Sequence, residues 1–267
     1  MSQIEYNNAR SGINLKLIHL VLCIFILSNF CVAEDASKYF DNLGSKLYSA
    51  GNYSEAMDYF NMSLDQDAGN ADAWTHKGDA QRVLRNYNDS IKSYYQAIGR
   101  DNKKASAWSG LTDAYSARKD YANASIAATE LKEIDPKNKG YWVKEGIILQ
   151  IQGDFSGAEI EIDRALAIDP RYKDALYRKA LSRMAANNMD QAISLLDQIL
   201  EIDPKYKQAC NAKGQALEAQ GKYGEALAAY EKALKIDPKW SLALTNKMHV
   251  LLAKGKQKDA VDIFLKI

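Results

Sequence analysis

All four prolines of the chain stand on one 34-residue period: Pro136, Pro170, Pro204 and Pro238, each preceded by Ile-Asp. Carried backward, the period lands on Asp101 and Asp67, where the aspartate persists but Asn102 and Ala68 replace the proline. A fixed period of this length marks a supersecondary unit that buries its apolar face only by stacking on copies of itself. Placing a repeat start at Ser37 puts the others at Ala71, Ala105, Lys139, Lys173, Lys207 and Ser241, the last repeat being incomplete.

Numbered within that frame, position 4 carries Phe40, Trp74, Trp108, Trp142, Leu176, Cys210 and Leu244. Position 8 is small in most repeats (Gly44, Gly78, Gly146, Ala180, Gly214), and position 20 is alanine or serine from Ala56 to Ala260. Large residues at positions 4 and 11 share one face of a first helix, two turns apart. Small residues at 8 and 20 let that helix approach a second one closely. Gly51-Asn52-Tyr53 and Gly221-Lys222-Tyr223 read as the turn between them, with glycine relieving the backbone at the first helix's end. Asp-Pro then stops the second helix and presets the next start.

The spacing of Trp, Gly, Ala, aromatic and Pro resembles the tetratricopeptide repeat over residues 37–267, best in repeats 3, 4 and 6. Repeat 5 departs from it with Leu176, Ala180, Arg183 and Met189. The resemblance implies an all-α fold, a right-handed superhelical solenoid of antiparallel helical hairpins. It also implies a non-catalytic scaffold that binds a protein or peptide segment in a concave groove lined by first helices.

Groove-facing residues are then expected at positions 2, 5, 6, 9, 12 and 13. In repeats 1 to 3 these include Asp41, Asn42, Asp72, His76, Asp79, Arg82 and Asp113, a polar and mostly acidic set. Repeats 4 and 5 offer Val143, Lys144, Ile147, Ile151, Tyr177, Arg178, Leu181 and Met184, and repeat 6 offers Asn211 and Gln215. An apolar floor with Lys144 and Arg178 one repeat apart suits a partner carrying hydrophobic and acidic side chains; the competing reading buries these residues against the neighbouring first helix. No fifth position is a lysine, so the family's clamp for chaperone C-terminal carboxylates is not expected.

Net charge is +1, without the basic excess of a nucleic-acid binder, so no nucleic-acid partner is expected. His76 and His249 lie five repeats apart and Cys210 occupies a packing position, so neither metal nor cofactor is expected, nor catalysis. At the N-terminus, Arg10 and Lys16 precede an apolar run over residues 17–27, and Cys31-Val32-Ala33 ends it before Glu34-Asp35. Residues 1–33 thus read as a signal peptide or a membrane anchor, with residues 17–33 as the tether, placing the repeats outside the cytoplasm. In an exported chain the Asn-x-Ser sequons at Asn52, Asn61, Asn88 and Asn123 are candidate glycan acceptors. A structural alternative to the scaffold is self-association through the uncapped last helix, where Val261, Phe264, Leu265 and Ile267 form an apolar face.

Overall fold

The computed structural model describes residues 33–265. Residues 1–32, which hold nearly all of the leader and tether segment, and Ile267 lie outside the described residues. Fourteen α-helices and no strands occur within them, and no helix there is long and apolar enough to cross a membrane.

The helices pair in sequence order. Repeat 1 holds α1 (Ala33–Ser49) and α2 (Tyr53–Gln66), repeat 2 holds α3 (Ala71–Val83) and α4 (Tyr87–Arg100), and repeat 3 holds α5 (Ala105–Ala117) and α6 (Tyr121–Ile134). Repeat 4 is α7 (Lys139–Gln152) with α8 (Phe155–Ile168), and repeat 5 is α9 (Lys173–Ala185) with α10 (Met189–Ile202). Repeat 6 follows as α11 (Lys207–Ala219) and α12 (Tyr223–Ile236), repeat 7 as α13 (Ser241–Ala253) and α14 (Gln257–Phe264). Two compact units result, one running to Ala127 and the other starting at Ala128, with the division inside α6.

In the first unit, position 24 supplies the deepest rings. Phe60 and Tyr94 are fully buried. A methyl group on Gly78 would sit 2.7 Å from the Tyr94 ring, and one on Gly110 2.4 Å from it. Glycine is required there because the ring occupies the space where a Cβ would stand. In the second unit Ile162, Leu196 and Tyr230 are buried at the same phase, opposite Gly146, Ala180 and Gly214. The small-residue rule of the sequence thus acts chiefly as a large-against-small match across each hairpin.

Aspartate, more than proline, makes the turn between repeats. The aspartate at position 31 takes an extended backbone in repeats 1, 2, 4, 5 and 6, as in Asp67 (φ −142°) and Asp169 (φ −141°). Its carboxylate accepts the N–H two residues on: Gly69 at 2.7 Å, Lys103 at 3.0 Å, Arg171 at 2.9 Å. Its carbonyl accepts the N–H of position 34, such as Asn70 at 3.1 Å and Tyr172 at 3.0 Å. This Asx turn needs no pyrrolidine ring, which explains why repeats 1 and 2 dispense with proline.

Candidate partner-binding surface

In the first unit, the acidic groove expected from the sequence is mostly spent on internal pairs. Asp41, only 8% exposed, accepts a bond from His76 Nδ1 at 2.8 Å and joins α1 to α3. Tyr94 donates to Asp79 at 2.7 Å, while Arg82 donates to the Tyr94 hydroxyl at 3.3 Å and pairs with Asp79. Lys104 pairs with Asp72 at 2.6 Å. Burial by itself would lower the His76 pKa, but the hydrogen bond and charge of Asp41, backed by Asp79 and Asp72, raise it above the ordinary value. Ser45 Oγ lies 3.4 Å from the same Nδ1 that Asp41 contacts. A Ser–His–Asp relay needs its two partners on opposite ring nitrogens, so this trio is not arranged as one.

In the second unit, the residues singled out from repeats 4 to 6 separate into three groups. Val143 is 4% exposed and packs with Ile162, Ala165 and Ala175, so it offers no surface. Asn211, 3% exposed, accepts from the Asn246 amide at 3.0 Å and is likewise consumed by stacking. Both are corrections with one cause: position 5 of a first helix points toward the next first helix, which covers it. Half-buried are Lys144, Ile147, Tyr177, Arg178, Leu181, Met184 and Gln215. Ile147 leans on the Val143 cluster, Met184 on the Leu176–Leu196 cluster, and the Tyr177 ring meets Tyr206 edge-on at 5.8 Å. Ile151 alone is widely open, at 55%.

What brings these side chains to one face is Gln150. Its amide donates to the Arg178 carbonyl at 3.0 Å and the Ser182 hydroxyl at 2.7 Å, fixing α7 beside α9. Phe155, the first residue of α8, just beyond the Gly153 turn, is 47% exposed. It was not anticipated, because position 17 reads as a packing aromatic in every repeat where an aromatic stands there.

A second missed feature is a charge ladder along the turns. Lys139, Lys173 and Lys207, at position 1, each bond the aspartate 30 residues on (Asp169, Asp203 and Asp237) and sit over the aromatic at position 34. The Nζ-to-centroid distances are 4.6 Å to Tyr172, 5.4 Å to Tyr206 and 5.0 Å to Trp240. Those hydrogen bonds hold the three carboxyls below their ordinary pKa. The fixed separations of 30 and 33 residues were the available signal.

The sequons differ in access. Asn52 and Ser54 are both exposed at the first hairpin turn, and Asn123 is exposed. Ser63, of the Asn61 sequon, is buried and donates to the Ser37 carbonyl, and Ser90, of the Asn88 sequon, is buried and donates to the Gly78 carbonyl. No group of three or more His, Cys, Asp or Glu among the described residues could hold a metal ion. At the last helix Val261 is 54%, Phe264 65% and Leu265 77% exposed.

The tetratricopeptide repeat family profile matches residues 75–139, 143–207, 177–240 and 211–267. The chain belongs to the tetratricopeptide repeat family. Proteins of this fold serve as protein–protein interaction scaffolds, and the fold suggests that role here. No curated protein matches the chain. Among solved structures, a tetratricopeptide repeat protein from Parabacteroides merdae is similar over 87% of this chain and 92% of its own, with TM-score 0.73 and 15% identity. PilW, described as a widely conserved type IV pilus biogenesis factor, is similar over 78% of this chain and 97% of its own, with TM-score 0.68 and 18% identity. YrrB, described as a tetratricopeptide protein with an unusual peptide-binding site, is similar over 70% and 97%, with TM-score 0.52 and 19% identity. At such identities these likenesses carry the fold alone.

Proposed function

We propose that this tetratricopeptide array is a non-catalytic scaffold that captures a protein or peptide segment on the face shared by α7 and α9. The observation that carries the reading is the Gln150 amide, bonded to the Arg178 carbonyl and the Ser182 hydroxyl, which fixes α7, with exposed Ile151, beside α9, with half-buried Arg178, Leu181 and Met184. An open isoleucine, half-buried apolar side chains and the cations Lys144 and Arg178 on these two helices suit a segment carrying hydrophobic and acidic side chains. The peptide-binding site named for YrrB is consistent with such use of the fold. The array is expected to work outside the cytoplasm, exported or tethered by residues 17–33, with Asn52 as the best-presented glycan acceptor.

Affinity capture with the wild-type chain and with a Lys144→Glu, Arg178→Glu variant tests the site. The variant should recover the captured partner several-fold less while keeping its helical circular dichroism. Equal recovery would count against this face. N-terminal sequencing of the protein from its host tests export: an unprocessed start together with cytoplasmic fractionation overturns it. The exposure of Phe264 and Leu265 favours one alternative, self-association through α14. Sedimentation that stays monomeric at high concentration removes that alternative.

A further inference from the structure

The four Asn-x-Ser sequons of the first unit differ in geometry as well as in access. Transfer of a glycan needs the asparagine amide and the hydroxyl two residues on to reach one enzyme site together. Inside an α-helix, residues two apart point about 200° from each other, so one of the pair turns inward when the other turns out. Asn61 within α2 and Asn88 within α4 obey this rule, and their serines are fully buried. Both hydroxyls are also spent, Ser63 on the Ser37 carbonyl and Ser90 on the Gly78 carbonyl, each at 2.8 Å. Asn123 lies within α6, and the nitrogen that would take the sugar, Nδ2, donates to Asp120 at 2.9 Å.

Asn52 is placed differently. It stands outside the helices, between Gly51 (φ 85°) and α2, with φ −86° and ψ 62°. The side chains of Asn70 and Asn138 accept N–H bonds from the first turn of the helix that follows, whereas that of Asn52 caps nothing. Asn52 and Ser54 are both exposed, while Tyr53 between them packs edge-on against Tyr48, ring centroids 5.2 Å apart. The aromatic contact pins the middle residue and leaves the amide and the hydroxyl on either side of it in solvent.

We propose that in the folded chain Asn52 alone accepts an N-linked glycan, and that folding closes the other three sequons. The proposal deepens the export reading and rests on it for its setting in the host. In the transfer, Asn52 Nδ2 bonds to the anomeric carbon of a polyprenyl diphosphate-linked oligosaccharide. The bond from that carbon to the diphosphate oxygen breaks, polyprenyl diphosphate leaves, and the amide proton passes to a base of the transferase. The folded full chain, treated with a single-subunit oligosaccharyltransferase that needs only Asn-x-Ser and with its lipid-linked substrate, should gain the mass of one glycan. Peptide mapping should place it on Asn52, and Asn52→Gln should abolish it. The same enzyme present during cell-free synthesis, before repeats 1 to 3 have closed, should also modify Asn61, Asn88 or Asn123. A folded chain left bare at Asn52, or modified at any of the other three, overturns the proposal. So does modification confined to Asn52 when the enzyme acts during synthesis, because folding would then not be the gate. Enzyme and substrate are supplied in both arms, so cytoplasmic fractionation in the host would sink the export reading without altering these readouts.

Discussion

At position 15 the repeats share a backbone conformation without sharing a residue. Gly51, Gly153, Gly221 and Gly255 take positive φ there, and so do Arg85 (63°), Lys119 (63°) and Asn187 (61°). The left-handed region costs an L-residue with a bulky side chain about 1 kcal/mol relative to glycine. Lys119→Gly should therefore stabilise the chain by about 1 kcal/mol, read from the denaturant midpoint, and Gly221→Ala should destabilise it by a similar amount. An unchanged midpoint in both would show that the turn relaxes at no cost. The glycine turns were legible in the sequence because the residue announces the conformation. Arg85 and Lys119 were not, since the spacing of two packed helices, and no preference of their own, forces their φ. The match of Gly78 and Gly110 to Tyr94 was half legible: small and large were each on phase, but the glycine of the following repeat touching the same ring emerges only in three dimensions.

Between elements, the Asp41–His76 bond joining α1 and α3 responds to pH. The folded-state pKa of His76 lies above its ordinary 6.5. The charged pair is thus complete below the ordinary value, and its contribution is lost as pH rises through the raised one. The difference in thermal midpoint between the wild-type chain and His76→Gln should be largest near pH 5.5 and shrink toward pH 8.5. A difference that stays constant with pH would mean that the ring acts only by packing against Phe60, 5.6 Å away. The same scale explains where the expected groove went astray. Periodicity places position 5 on the face turned toward neighbouring first helices, but it carries no information on how closely those helices approach. Val143 and Asn211 are covered because the approach is close, whereas Ile151, two turns along from Val143, remains open. Gln150→Ala removes the bond that sets the overlap of α7 and α9, and should weaken partner capture with little change in helicity. Full retention would show that packing alone holds the face.

For the molecule as a whole, stability is spread over nearest-neighbour joints, so each terminal repeat protects the one before it. A chain ending at residue 236 uncovers Leu227, Leu234 and Ala233, which pack against repeat 7. Its thermal midpoint should fall clearly below that of the full chain. Equality would mean that repeat 7 contributes nothing to its neighbour. Not every joint is alike. Across three successive joints a lysine at position 7 meets an acid at position 25 of the preceding repeat: Lys179 with Asp163, Lys213 with Asp197, Lys247 with Glu231. At the joint into repeat 4 the acid and the base exchange sides, and the lysine stands at position 28 of the preceding repeat rather than at 25. Glu145, 7% exposed, stands at position 7 and pairs with Lys132, which also holds Glu161 and lies over the Trp142 ring. Repeats 5 and 6 carry both the lysine at position 7 and the acid at position 25 and are therefore interchangeable modules: a duplication or deletion of either by recombination would re-form the same pair at the new junction. Repeat 4 is keyed to what precedes it, since set after repeat 5 it would bury Glu145 against Asp197. Expansion and loss of repeats in descendants of this gene should accordingly be confined to the stretch beyond the Lys132–Glu145 pair.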